Sequence, residues 1–408
     1  MGETDPKSAK VAIVGAGLTG LLAAHGLRKA GFDVVLFDQE TSLDMRKRDW
    51  PLMLHWALPT FNSLVPASVL QNFPDALCNR HLDLSNPDSF TMRCANGETG
   101  ETLFCSAVPG MRRVSRQRLR RVMAADLDSA GLIQWGKTLE KLDADDGDGG
   151  GPVSLSFSDG TTFSADYVLG TDGASSKVRE LLFHGAEAAR IQPSGFMCAT
   201  AIVKHDDAAK VQPVLSSHPV ATIILGTESV GGTSVMHADK PDDISTWSIT
   251  WIKIWRKSKL PDPPAKNGPE ALAWIQETTK GLADPFQSQI AWTANGDDVY
   301  IDEMRTWVSV PWETRNGRVT LAGDAAHPML VYRGQGYQHA VTDADNFVKA
   351  LVSVRDEGKS REEVIGAYSS DVVERGAQAV TQSLREADMS MDLESTMKMI
   401  MAKKGHAK

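Results

Sequence analysis

Val11–Val14 is a short run without a polar residue, and a second such run, Val34–Phe37, follows one helix length later. Unbroken apolar runs of this size belong to strands buried on both faces. Between them Leu21, Leu22, Ala23, Ala24 and Leu27 keep helical spacing, and Gly31 stops the helix. Tyr167–Gly170 and Val319–Ala322 repeat the buried-strand pattern. The first leads into a helix starting near Ser175, the second into one from about Gly336 to Leu351. Alternation around Asp159-Gly160 in "VSLSFSDGTTF" predicts a hairpin. Between these parts, four strands are predicted at 195–203, 220–226, 232–238 and 246–255. In the last, Trp247, Ile249, Trp251, Lys253 and Trp255 fall on one face by two-residue alternation. That face either packs against a helix or forms an aromatic wall for a flat ligand. The tail "DMSMDLESTMKMIMAKKGHAK" is Met-rich at helical spacing, as for a core-capping, lid or partner-binding helix that then frays.

A chain of 408 residues is long enough for two domains, or for one with a large insertion. Its 42% hydrophobic and 23% charged residues are those of a folded soluble protein. The net charge of -9 argues against a nucleic-acid partner. Basic residues cluster only in "MRRVSRQRLRR", Met111–Arg121, read as a solvated helix face that brings one or two arginines to a phosphate. Cys78, Cys94, Cys105 and Cys198 form no C-x-x-C pair, so neither a metal site nor a redox disulfide is expected, and a reducing compartment fits. Neither a bilayer-spanning run nor a secretory signal is found, so the expected location is cytoplasmic. "DADDGDGGGP", 143–152, reads as a flexible acidic turn.

The chemistry sits at the strand ends. Gly15-x-Gly17-x-x-Gly20 follows the first strand, opens the first helix, and is joined by Asp38 at the end of the second strand. Gly15 makes the tight turn, Gly17 admits a pyrophosphate to the backbone, and Gly20 lets the helix pack closely. The helix N-terminus then offers free amides and a positive dipole end, and Asp38 an acceptor for a ribose. This predicts dinucleotide binding and leaves NAD and FAD both open. Downstream, Asp172-Gly173 turns between a strand and a helix. "LAGDAAHPMLVYRGQG", Leu321–Gly336, places Asp324 off a strand and Gly334-Gln335-Gly336 at a helix start.

These three motifs, in this order, resemble the group A flavoprotein monooxygenases, the para-hydroxybenzoate hydroxylase-like family. "LHWALP", "NGETGE", "RRVSRQRLR", "DDISTW", "VSVPWETRNGRVTLAGDAAHP" and "AYSSDVVERGA" extend the likeness to a small fungal-type branch and to nearly the whole chain. The resemblance implies an α/β fold: a Rossmann-like FAD-binding domain carrying the GxGxxG, DG and GD motifs, interleaved with a β-sheet substrate domain, plus C-terminal helices. The implied spans are 1–185 for the first FAD-binding part, including a flavin-side loop at 44–110, and 186–300 for the substrate sheet. The GD part takes 301–355 and the terminal helices 356–408.

Family roles carry over residue by residue. Gly15, Gly17, Gly20 and Asp38 would hold the ADP part of FAD. Asp172 and Gly173 would serve FAD and NAD(P)H. Asp324 would hold the ribityl chain, and Gly334 and Gly336 would open the helix aimed at the isoalloxazine. Arg116, in "VSRQRL", matches the family's Arg-x-x-Leu arginine, and Arg48 and Trp50 lie in the loop that passes the flavin ring. Arg333 would bind the cofactor or a nicotinamide phosphate. The implied reductant is NADPH or NADH, and O2 would react to give a flavin C4a-hydroperoxide that transfers one oxygen to a planar aromatic such as a polyketide phenol or indole. A second GxGxxG, as in Baeyer-Villiger enzymes, is missing, and so is the W-x-W-x-I-P signature of tryptophan halogenases.

Two departures stand out. Val331 occupies a position where many relatives carry proline, near the face where oxygen reacts, and Asp38-Gln39 replaces a Glu-Arg type pair. The first keeps open an oxidase, dehydrogenase or oxidative cyclase that inserts no oxygen. His55 is either a substrate-binding base or a satisfied structural histidine, and His237 carries the same ambiguity. Val331, Tyr332 and His55 are the catalytic candidates, and Trp50, His237 and Trp251 the substrate-side ones. His327 reads as structural. A monomer or weak homodimer is expected, with no nucleic-acid partner and no metal.

Overall fold

The computed structural model describes residues 9–144, 151–185 and 187–398, without the side chain of Arg333. Most of the acidic turn, the last ten residues of the Met-rich tail and the Arg333 side chain therefore lie outside the described residues.

The apolar runs form one parallel sheet. Its strands are β1 (Lys10–Val14), β2 (Asp33–Asp38), β7 (Ile133–Trp135), β11 (Tyr167–Gly170) and β17 (Val319–Leu321), in the order β17-β11-β1-β2-β7. Val11, Ala12, Ile13, Val168, Leu169 and Val319 are all fully buried, as strands covered on both faces require. Helices α1 (Leu18–Lys29) and α9 (Gly336–Glu357) pack on each other, and α4 (Arg116–Ser129) and α10 (Arg361–Ser390) pack against them. Two shorter helices, α2 (Leu58–Leu64) and α3 (Ala67–Ala76), complete this layer. The predicted hairpin forms within a three-stranded sheet of β8 (Leu139–Ala144), β9 (Val153–Phe157) and β10 (Thr162–Ala165), turning at Gly160 with φ +81°.

The strand-rich middle builds an antiparallel roof. The four predicted strands become β12 (Gln192–Lys204), β13 (Thr222–Leu225), β14 (Ser229–His237) and β15 (Ser248–Arg256). Two strands from outside 186–300, β4 (Thr91–Asn96) and β5 (Thr102–Ala107), join them at one edge, and β16 (Val299–Thr306), which crosses its end, joins at the other. Strand pairing between segments distant in sequence decides this, so the roof is larger than the middle segment suggests. Helices α6 (Ala208–Ser217), α7 (Gly268–Glu277) and α8 (Phe286–Ala291) cover its outer face, while the short α5 (Lys177–Leu182) follows β11. A two-stranded ribbon, β3 (Pro51–Leu54) with β6 (Arg112–Ser115), runs between the parallel sheet and the roof.

Candidate active site

The first helix end is built around its glycines. Gly15 has φ +106°, and a Cβ there would sit 2.6 Å from the Thr171 carbonyl oxygen. A Cβ on Gly20 would lie 2.1 Å from the Gly15 oxygen. At Gly17 it would meet nothing within 4 Å, so the backbone is open to a ligand where α1 starts, and no side chain caps that start. Asp38 braces the turn: its carboxylate accepts from the Ala16 amide at 2.7 Å and the Glu40 amide at 2.8 Å. Arg120, 4% exposed, donates to the Ala16 carbonyl at 2.9 Å and to Glu40 at 2.6 Å, and lies 3.4 Å from Asp38. Arg120 and Glu40 were not singled out from the sequence, because nothing in the basic run marks which arginine turns inward.

The other strand ends converge on the same place. Asp172 accepts from the Lys177 and Val178 amides at 2.7 and 3.1 Å and from the Ser176 hydroxyl at 2.5 Å, so its carboxylate is committed to the start of α5. These bonds fix the orientation of its carboxylate at the helix start. Burial nevertheless keeps its pKa above the usual carboxylate range. Gly173 takes the turn at φ +83°. Arg179, 1% exposed, ties this loop to the GD loop through the Ala174 and Ala325 carbonyls.

Gly323 packs against α1: at φ +61°, a Cβ there would lie 2.5 Å from the Thr19 hydroxyl. Its amide donates to Asp343 at 2.8 Å. Asp343 also holds His327 at 2.7 Å and Arg375 at 2.9 Å, and the Asp343 and His327 side chains are fully buried. Burial alone would lower the pKa of His327, but the Asp343 carboxylate more than reverses that and raises it. Burial would likewise raise Asp343, yet His327 and Arg375 hold it at about 2. α10 accommodates the imidazole only because residue 376 is glycine, where a Cβ would lie 2.8 Å from the His327 Cβ. The sequence did carry a signal for Asp343: it is an acid on the α9 face that also bears Ala340, Val341, Ala344 and Phe347, all buried.

Asp324 is exposed although protein surrounds it, which places it in a cleft. That enclosure raises its pKa, against the lowering pull of His327 and Arg116. A Cβ on Gly336 would come within 4.0 Å of an Asp324 oxygen, so the start of α9 and Asp324 face each other. No side chain caps that start. Arg116 lies 4.7 Å over the Trp50 ring. Burial, aided by Arg46 and Arg120, lowers its pKa to about 10, while Asp324 and Glu40 act to raise it.

The remaining candidates spread around this cleft. Gly334, at φ +59°, abuts Met53. The Trp56 indole donates to the Gln335 amide oxygen at 2.9 Å, His55 lies 3.4 Å from the Gln335 amide nitrogen, and burial lowers the His55 pKa. Val331 is 53% exposed, whereas Leu330 is buried. Tyr332 packs with Ile254 and Met391 on the inner face of the roof, where burial pushes its hydroxyl pKa well up. Arg48 points at the roof, not at the glycine turn: it pairs with Asp302, reaches Thr200 at 3.3 Å and covers the Tyr300 ring at 4.7 Å. Strands β12 and β16 thus hold the Arg48 side chain. His237 lies 3.5 Å from Asp49, which itself takes the Gln117 amide and the Ser115 hydroxyl at the start of α4. Trp251 overturns its expectation outright. It is 0% exposed on the outer face, packed with Ala199, Ile275 and Ile290 and donating to Thr293 at 3.0 Å. The alternating aromatic face packs against helices.

The geometry is therefore two uncapped helix starts, a glycine turn open at Gly17 and a carboxylate beside one another below an antiparallel roof. The FAD binding domain family matches residues 88–383, and the NAD(P)-binding Rossmann-like domain family matches residues 13–55. The FAD-dependent monooxygenase phnB of Penicillium herquei is 30% identical over 98% of this chain and 96% of its own. The chain belongs to the FAD-dependent monooxygenases. This monooxygenase is also 29% identical to the FAD-dependent monooxygenase cctM of Talaromyces islandicus, over 92% of this chain and 91% of the relative. Its fold is that of Klebsiella pneumoniae HpxO, solved with FAD and uric acid. The TM-score is 0.74 at 18% identity, over 98% of this chain and 93% of that one. The cleft fits FAD: Gly17 leaves the phosphates a path to the α1 amides, and among the described residues no hydrogen bond occupies the Asp324 carboxylate that faces the start of α9. Among the described residues, no helix is long and apolar enough to cross a membrane.

Proposed function

We propose that this monooxygenase takes reducing equivalents from NADPH or NADH and inserts one oxygen atom of O2 into a planar aromatic small molecule. The reaction would be a hydroxylation, epoxidation or dearomatisation of a polyketide phenol or indole, carried out in the cytoplasm by a monomer or weak homodimer. The observation that carries this reading is the facing of the Asp324 carboxylate and the uncapped α9 start. FAD, when bound, supplies O2 activation and oxygen transfer. The chain supplies the rest. Gly17 and the α1 amides would receive the phosphates, and Arg116 the negative charge near them. Asp324 would accept from the ribityl hydroxyls. The amides at the start of α9 would face the ring end, where negative charge develops on reduction. Ile254, Tyr332 and Met391 make a dry ceiling that excludes water. His55 and Gln335, at the edge of the cleft, are the polar groups within reach of a substrate hydroxyl.

Val331, which stands where many relatives carry proline, motivates a second reading, an FAD oxidase, dehydrogenase or oxidative cyclase that inserts no oxygen. One experiment addresses both. NADPH or NADH oxidation by the FAD-loaded protein is followed with a panel of phenols and indoles under 18O2, with the label read in the product. Labelled product supports the monooxygenase reading, and conversion of the aromatic to an unlabelled oxidised product supports the second. FAD that neither nicotinamide reduces overturns the first, and FAD that no compound of the panel reduces either overturns the second.

A further inference from the structure

Among the described residues Met45 is the only exposed methionine, at 58%. Met111, Met123, Met197, Met236 and Met391 are buried and the rest are half-buried. The Met45 sulfur is not idle. It accepts from the Thr41 amide at 3.4 Å and from the Thr41 hydroxyl at 3.6 Å. Both donors belong to one residue, so they cover one side of the sulfur. The Met45 amide donates to the Ser42 carbonyl at 3.3 Å, so residues 41–45 form a turn that the thioether helps to close. An exposed thioether is open to oxidation to the sulfoxide. The buried thiols compete little: burial pushes Cys78 up to about 11 and Cys94 and Cys198 up to about 12, and a protonated thiol is a poor nucleophile.

The turn is wired to the glycine motif. Arg46, the next residue, pairs with Glu40 at 2.8 Å. The other Glu40 oxygen takes Arg120 at 2.6 Å, and Arg120 donates to the Ala16 carbonyl at 2.9 Å, between Gly15 and Gly17. Helix α4 holds the same loop from its other side, through Gln117 to the Arg46 carbonyl at 2.6 Å and Arg121 to Asp44 at 2.8 Å. Two ion pairs and one hydrogen bond therefore separate the residue beside Met45 from the backbone where α1 starts.

We propose that Met45 is an oxidation site whose sulfoxide loosens the glycine turn, so that hydrogen peroxide weakens the enzyme's hold on FAD. This rests on the turn at Gly15–Gly20 being where FAD binds. The sulfur lone pair attacks one peroxide oxygen, the O–O bond breaks, and the other oxygen leaves as water with the proton of the first. The thioether is oxidised by two electrons and the peroxide is reduced by two. The sulfoxide oxygen then stands on a sulfur already in contact with Thr41, and a weak acceptor has become a strongly polar group. The Thr41 donors must follow that oxygen or release it. Either way the 41–45 turn changes shape and carries Arg46 away from Glu40, which leaves Arg120 and the Ala16 carbonyl less firmly braced.

The test treats the FAD-loaded full chain with limiting hydrogen peroxide, maps oxidation by peptide mass spectrometry, and measures the FAD Kd by flavin fluorescence on dilution. Met45 gains one oxygen at least about tenfold faster than the buried methionines, as its exposure requires. The Kd rises about threefold to fivefold, the scale of one part-exposed ion pair. Treatment with the two methionine sulfoxide reductases, one for each epimer, returns it to the starting value. Met45→Leu keeps the size of the side chain without its sulfur. It binds FAD like the wild type and shows no such rise after peroxide, although Cys105 and the other methionines are still present. Faster oxidation of another described methionine, a Kd that stays within about 1.5-fold once Met45 is the sulfoxide, a loss the reductases do not reverse, or an equal loss in Met45→Leu overturns the proposal. Failure of the cofactor-turn reading shows separately, without peroxide, as unchanged FAD affinity in Gly17→Ala.

Discussion

Replacing Asp343 by Asn keeps the shape of the side chain and removes its charge from a fully buried site. Asp343 serves three partners at once, the Gly323 amide, His327 and Arg375, at 2.8, 2.7 and 2.9 Å. A carboxyl held at about 2, against roughly 3.9 unfolded, corresponds to about 2.6 kcal/mol of stability at neutral pH. Breaking a buried ion pair by removing one partner costs about 3–5 kcal/mol. Asn still accepts from Gly323, so about 3 kcal/mol is the expected loss. Spread over 408 residues at about 2.1 cal/mol/K each, that lowers Tm by about 3–4 °C. The pH dependence gives a second handle. The Asp343 contribution is present above its unfolded pKa and fades as pH falls through about 2. The His327 pKa is raised, so its contribution is complete below about 6.5 and is lost as pH rises through the folded value. Scanning calorimetry of wild type and Asp343→Asn at fixed FAD concentration should therefore show the larger gap at pH 6 and a smaller one at pH 9. A gap under about 1 kcal/mol, or one equal at both pH values, would refute the reasoning, because the buried His–Asp pair would then contribute nothing as a pair.

Gly17→Ala should fold within about 1 kcal/mol of wild type yet bind FAD less tightly by titration, since its Cβ meets only open cleft. Gly20→Ala, whose Cβ would strike the Gly15 oxygen, should lose the folded glycine turn, and equal FAD affinity for the two variants would contradict this. Trp251→Phe should lower stability by about 1–3 kcal/mol through lost packing and the lost Thr293 bond while leaving KM within about twofold; a large KM change at unchanged Tm would return Trp251 to the substrate site. Val331→Pro should fold normally, because Leu330 before it is extended at ψ 145° and residue 331 opens a short turn. If the fraction of NAD(P)H oxidation coupled to product is then unchanged, the departure from the family's proline is a matter of packing.

The local elements were legible because their causes are local. Unbroken runs at β1, β2, β11 and β17 read as buried strands, and the glycine spacing at 15, 17 and 20 reported its own turn, since only those positions need missing side chains. Alternation located β15 and even sorted its faces correctly into one set. Which face meets which partner was not in the alternation: helices α7 and α8, distant in sequence, claimed the tryptophan side, while Ile252 and Ile254 pack with Leu330, Ala387 and Met391 on the other face. The same physics moved Arg48 to Asp302, tied Asp172 to the start of α5, and chose Arg120 from a run of six arginines that look alike as text. A side chain's charge and size belong to the sequence. Its partner is set by chain segments far away, and only tertiary packing decides whether a charge ends up neutralised, capping a helix, or facing open space.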